Sequence, residues 1–187
     1  MEARYLALVA VAPLVSLVVW VVVVFNRLVS LRNRLREAWS GIDVQLKRRH
    51  TLVPALVECV KGYRAHERGV FESVALQRTK AQEASGVKAA GEAESLLTRH
   101  LRTLFAVAEA YPELKADARF RQLSDNLVEI EDQIQYARRY YNGTVRDFNT
   151  MVESFPNMIP ARLFTFRTAP FFEIENAIER NAPQVSP

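Results

Sequence analysis

A charge-free run from Tyr5 to Phe25 passes without a linker into a basic, heptad-patterned segment, Leu28–Glu67. The first stretch needs an apolar surround and the second needs partner helices. One junction therefore constrains both where the chain sits and how it folds. Tyr5–Phe25 holds 21 residues, with Ser16 as its mid-span polar group. As a helix it reaches about 31 Å, matching a hydrocarbon core. Its many valines favour strand, but an open strand leaves unpaired backbone in lipid, so the segment reads as helix. Pro13 is tolerable there because neighbouring groups re-satisfy the freed carbonyl. Tyr5 and Trp20 stand near the two ends, where amphipathic rings favour the interface.

A cleaved signal peptide is the rival reading. The run is longer than a typical apolar h-region, and Arg4 is offset by Glu2. Ala10-Val11-Ala12 resembles a cleavage site but lies mid-run before Pro13, and the lone cysteine, Cys59, rules out a lipobox. An uncleaved anchor is the expectation.

Charge then gives an orientation. Residues 26–50 carry seven basic and two acidic side chains, a net of +5, whereas residues 51–187 carry 17 basic and 18 acidic ones. The basic excess sits beside the apolar run, with Arg27, Arg32, Arg34 and Arg36 nearest. By the positive-inside rule the amino terminus faces out and the body faces the cytoplasm, in a single pass of the cell (inner) membrane. The same arginines are placed to meet anionic lipid headgroups. One cysteine without a disulfide partner fits a reducing compartment. Nucleic acid is a poor fit, since the basic block abuts the bilayer and the rest of the chain is slightly acidic.

Beyond the anchor, apolar residues recur at three- and four-residue steps. Leu35, Trp39, Ile42, Leu46, Val53, Leu56, Val60 and Tyr63 form one stripe, interrupted by Arg49. That spacing predicts a helix packed on helices. Arg49 reads as a snorkelling chain or a register-setting polar residue. Ser40-Gly41 and Pro54 are bend points, and one kinked helix is expected to continue to about Gln82. A second helix fits Glu92–Tyr111, stopped by Pro112. A third starts near Asp117 as N-cap and runs through Phe120, Leu127, Ile134, Tyr141 and Phe148 to Pro156. The fold class is all-α: a transmembrane helix continuing into a long antiparallel bundle of three main helices plus a short C-terminal helix. The expected division is 1–25 for the anchor, 26–155 for the bundle, and 156–187 for an aromatic tail lying over it, with a short helix at Glu173–Glu179.

Motif searches return no chemistry. His66-Glu67 starts an HExxH pattern, but Val70 stands where the second histidine belongs. No histidine has a glutamate three residues before it, as a di-iron bundle requires. Cys59 and His66 share a helix face about 10 Å apart, too far to bind one metal ion. Glu129, Glu131 and Asp132 read as solvated charges within reach of Arg138 and Arg139. No catalytic residue, cofactor or metal is therefore expected.

At Asn26-Arg27-Leu28-Val29-Ser30-Leu31-Arg32-Asn33 and Ala38-Trp39-Ser40-Gly41-Ile42-Asp43-Val44-Gln45-Leu46-Lys47-Arg48-Arg49-His50 the chain resembles the LemA family. The similarity continues at Leu52-Val53-Pro54, Leu56-Val57-Glu58, Val60-Lys61-Gly62-Tyr63 and His66-Glu67. It returns at Ala110-Tyr111-Pro112-Glu113-Leu114-Lys115-Ala116, Ala137-Arg138-Arg139-Tyr140-Tyr141-Asn142, Phe148-Asn149 and Phe155-Pro156. Ala55 and Arg64 depart from the Asn and the small residue of the pattern. The resemblance implies an amino-terminal anchor, a cytoplasmic helical body and no established catalysis. Such families are often encoded near membrane peptidases, which implies a partner of that kind.

The expectation from the residues is a non-enzymatic, membrane-anchored scaffold. An unbroken first helix about 85 Å long over Asn26–Gln82 outruns its partners within the chain, which favours a homo-oligomer. The self-association candidates are Leu35, Trp39 and Ile42 on the first helix, Tyr136 and Tyr140 on the third, and Phe164, Phe166, Phe171 and Phe172 in the tail. The alternative is an adaptor that recruits another membrane protein, such as a membrane peptidase.

Overall fold

The computed structural model describes residues 2–63 and 68–174, with side chains from residue 11 onward except that of Tyr63. The described residues form helices and connecting turns, without a strand, so the fold is all-α as expected. The helices are α1 (Glu2–Tyr63), α2 (Arg68–Glu83), α3 (Val87–Glu109), α4 (Pro112–Ala116), α5 (Ala118–Glu153) and α6 (Met158–Leu163). Two compact units interleave along the chain: Met1–Trp39 with Tyr140–Ala169, and Ser40–Arg139 with Pro170–Pro187.

In the first unit, α1 carries an apolar surface that none of the described residues covers. Leu14, Leu17, Val18, Val19, Val22 and Val23 are all exposed. Ser16, the polar group in this run, donates its hydroxyl to the Ala12 carbonyl at 2.9 Å, so it needs no water. From Trp20 onward one face of α1 becomes covered. Val24 and Leu28 are buried with Phe148, Met151, Val152, Ala161 and Phe166, and Leu35 packs at the edge of this cluster. The chain after α6 is held by Asn149, whose side-chain amide donates to the Ala169 carbonyl at 3.0 Å and accepts from the Ala169 N–H at 2.8 Å.

The second unit is a bundle around Val53, Leu56, Phe71, Val74, Leu97, Leu104, Leu114 and Leu127. Here α1 ends at Tyr63 and α2 folds back beside it, which corrects the expected single helix to about Gln82. The Arg78 Nε donates to the His50 carbonyl at 2.7 Å. In one continuous helix those residues would stand about 42 Å apart. Gly86, at φ 87°, turns the chain from α2 into α3. Asp117 is the expected N-cap of α5, its carboxylate accepting from the N–H groups of Arg119 at 2.7 Å and Phe120 at 3.0 Å. Pro112, expected to stop the second helix, opens the short helix α4.

The tail lies against the chain's own helices as far as it is described. Phe172 and Ile174 are buried in the second unit. The short C-terminal helix is α6, earlier than expected: Glu173 and Ile174 are not helical, and the rest of the Glu173–Glu179 prediction lies outside the described residues. His66 and Glu67 lie outside them too.

Candidate functional site

Among the described residues, a cluster of ionisable groups lies inside the second unit, where four helices meet around Arg49 and His50. Arg49 and His50 are consecutive on α1, and each takes one oxygen of the Glu94 carboxylate on α3. Arg49 Nη1 donates to Glu94 Oε2 at 3.0 Å, and His50 Nε2 lies 2.6 Å from Glu94 Oε1. With Glu94 ionised, His50 Nε2 carries the proton of that bond. Arg49 Nη2 donates to the Thr98 hydroxyl at 2.6 Å, and that hydroxyl passes its own hydrogen to the Glu94 carbonyl at 2.9 Å. From α5, Glu131 Oε1 comes within 3.0 Å of Arg49 Nε, close enough for charge attraction but not aligned as a hydrogen bond. The bond from Arg78 to the His50 carbonyl adds α2 to the set.

Arg49 and Glu94 have no exposed surface. Arg49 is thus no snorkelling chain; it is a buried polar residue, stabilised because two carboxylates and a hydroxyl replace its water. Glu131 is likewise no simple solvated charge. Burial pushes its carboxyl up from the ordinary 4.5, the Arg49 guanidinium holds it down against that push, and Glu94 raises it further. A guanidinium and a carboxylate closed off from solvent in this way position helices and offer no surface to a substrate. The cluster joins four helical elements at one point.

The other predicted residues divide by burial. Ile42, Phe166 and Phe172 are core residues of their own units, so their side chains are spent inside the fold. Trp39 is half-buried with its ring edge-on to Tyr141, centroids 5.6 Å apart, and Leu35 is half-buried as well. Tyr136, Tyr140, Phe164 and Phe171 are exposed. The tyrosine–arginine group on α5 is dispersed: Arg139 lies over the Tyr136 ring at 4.6 Å, Arg138 donates to the Ile174 carbonyl at 3.2 Å, and Tyr141 is buried. Arg27, Arg32, Arg34 and Arg36 are exposed, and Arg32 stands 5.0 Å over the Phe166 ring. Cys59 is buried, and burial raises its thiol above the ordinary value, with Asp117 adding to the shift and Arg119 opposing it. Among the described residues no three His, Cys, Asp or Glu side chains come together as a metal site.

Sequence reading missed Glu94, although the signal was present. Glu94 precedes Leu97 by three residues and so lies on the apolar stripe of its helix, as Arg49 does on α1. Two opposite charges in two core stripes is the pattern of a buried pair.

These features define a class: an all-α protein headed by one helix that, among the described residues, is long and apolar enough to cross a membrane. Its most apolar window has a mean hydropathy of 2.3 and is only 11% buried, unlike the core helix of a water-soluble fold. A family model described as the LemA family matches residues 38–186, and the chain belongs to that family. Its relatives include Magnetosome protein MamQ 2 of Paramagnetospirillum magneticum, 23% identical over 90% of this chain and 71% of the relative. Magnetosome protein MamQ of Magnetospirillum gryphiswaldense is 20% identical over 88% and 70%. Protein LemA of Metamycoplasma hominis is 26% identical over 78% and 68%.

Proposed function

We infer that the protein is a membrane-anchored helical scaffold that associates with copies of itself, with its amino terminus outside and its body in the cytoplasm. The observation that carries this reading is a contrast along the chain. The interior charges are consumed in pinning helices together, while Tyr136 and Tyr140 stand 61% and 59% exposed on α5. Tyrosines four apart on one helix share a face, and solvent-facing tyrosine is the residue type that anchors protein contacts. The shortage of helix partners argued from the sequence no longer supports this, because α2 supplies a partner within the chain. Ile42, Phe166 and Phe172 leave the candidate set, and Phe171 remains in it. A relative named for a cellular structure, the magnetosome, fits a structural role more readily than a reaction.

Light scattering of the full chain in detergent tests this. An oligomer is expected, and Tyr136→Ala with Tyr140→Ala is expected to weaken it at least tenfold. A monomer at every concentration overturns it. The adaptor reading draws on a groove of about 630 Å³ in the second unit, lined by Val44, Leu52 and Ile130 beside Lys47, Arg48 and Glu129. Cross-linking in native membranes separates the two, since a scaffold returns mainly itself and an adaptor returns a second protein.

A further inference from the structure

The corner between α5 and α6 exposes a row of large apolar side chains. Phe155 is 79% exposed, Ile159 57%, Leu163 72% and Phe164 42%. Ile159 and Leu163 are four apart and share one face of α6. Such a row in water is the signature of a surface that something covers. What covers it follows from where the corner is fixed.

The Phe164 ring stands edge-on to Phe25 with centroids 4.8 Å apart, and Phe166 meets the same ring at 5.9 Å. Phe25 is the last residue of the charge-free run, so the corner lies level with the end of the apolar helix. The turn that places it is built for the purpose. Thr165 adopts a φ of 57°, a left-handed conformation that β-branched residues seldom take, and the Phe166 N–H bonds the Ala161 carbonyl at 2.9 Å. The result is Phe166 directed into the core, with Leu163 and Phe164 left outside.

Charge agrees with the placement. Arg162 and Arg167 are exposed among these apolar residues. Arg27 and Arg34 from α1 and Arg146 from α5 line a cavity of about 730 Å³ with Asp147, Ser30 and Asn157, so its arginines outnumber its single carboxylate. None of those three arginines has an ion pair or hydrogen bond among the described residues. Apolar side chains with unpaired arginines beside them suit the boundary between acyl chains and anionic headgroups.

We propose that the α5–α6 corner is a second membrane contact, with Phe155, Ile159, Leu163 and Phe164 immersed in the interfacial layer and the arginines meeting anionic lipid phosphates. This rests on the reading of the apolar helix as a bilayer anchor. The surface commits to lipid and not to a second copy because the anchor's own last turn sets its depth.

The test uses the full chain with Cys59→Ala, reconstituted in vesicles of phosphatidylcholine and phosphatidylglycerol. An environment-sensitive fluorophore is attached at Ile159→Cys, Leu163→Cys, Val18→Cys or Lys115→Cys, one per sample. Positions 159 and 163 are largely solvent-facing in the fold, so labelling leaves the core untouched. Expected are blue-shifted emission at 159 and 163, quenching by brominated lipid, and at least threefold protection from aqueous iodide relative to 115. Iodide access at 159 and 163 without lipid quenching overturns the proposal. Shielding from both quenchers also overturns it, since it marks a protein contact. Position 18 keeps the two readings apart. Lipid quenching at 18 alone sinks the corner and spares the anchor, whereas iodide access at 18 sinks the anchor.

Discussion

Removing the Glu94 carboxylate would leave the Arg49 guanidinium enclosed with only Thr98 and a misaligned Glu131. Glu94→Leu is expected to destabilise the protein by about 3–5 kcal/mol, because an uncompensated buried charge costs more than the pair contributes. Adding Arg49→Met should recover much of that loss, since a packed apolar pair of similar volume is often no worse than the ion pair. Denaturant unfolding of both single variants and the double variant measures the coupling; additive effects would mean that the pair does not act as a unit. Glu131 makes a second prediction, through pH. Its carboxyl is raised in the fold, chiefly by burial. Below the ordinary carboxylate value of 4.5 it is protonated whether folded or unfolded, and its favourable contribution is fully present. As pH rises through the raised native value, the unfolded chain ionises first and the contribution is lost. The stability of the native protein relative to Glu131→Gln should therefore fall as pH rises above the ordinary value of 4.5. Unfolding midpoints in matched buffers check this, and a constant difference would refute it. Arg49 was legible as a charge within an apolar stripe, whereas Glu94 carried the same signal and went unread. Glu131 was not legible, because it lies one residue off its stripe at Ile130, and only packed neighbours reveal its burial.

Elements that end at sharp apolar or capping signals were legible, and elements that reverse without them were not. Asp117 marked the start of α5 because its side chain meets two free N–H groups at that point. The end of α1 was misread because heptad spacing carries through the reversal, and periodicity records which face is apolar and not which way the chain runs. Contact between the tail and α3 was hidden for a similar reason, since it depends on the absence of a side chain. A Cβ on Gly91 would collide with the Glu173 carbonyl, and backbone can yield only by moving. Gly91→Ala is thus expected to lift the segment around Phe172 while leaving α3 helical, given that alanine is the better helix former. Limited proteolysis after Arg167 should speed up several-fold, and helicity by circular dichroism should not fall. An unchanged cleavage rate would mean that the tail is held by Phe172 and Arg138 alone.

At the scale of the whole molecule, the all-α class and the apolar helix were open to reading because each rests on local pattern: three- and four-residue spacing, and a long run without charge. What local pattern left out was how many of the basic residues remain available. Lys47 is paired with Asp43 at 2.6 Å, and Arg49 is inside the core. Arg48 is exposed and bonded to the neutral Gln45, but it stands more than 20 residues past Phe25. The free positive charge close to the apolar run is therefore Arg27, Arg32, Arg34 and Arg36, all exposed and all within about 15 residues of its end, the range over which such charge sets orientation. Orientation should therefore depend on these four. A reporter active only in the cytoplasm, fused after Pro187, should be active on the native chain. Replacing the four arginines together by glutamine should shift a measurable fraction of molecules to the opposite orientation, read by a second reporter active only outside. Because all four side chains face solvent, these changes spare the core, so a loss of cytoplasmic signal reports insertion and not misfolding. An unchanged ratio of the two reporters would place the orienting charge elsewhere, and the arginines would then have the headgroup contact as their remaining role.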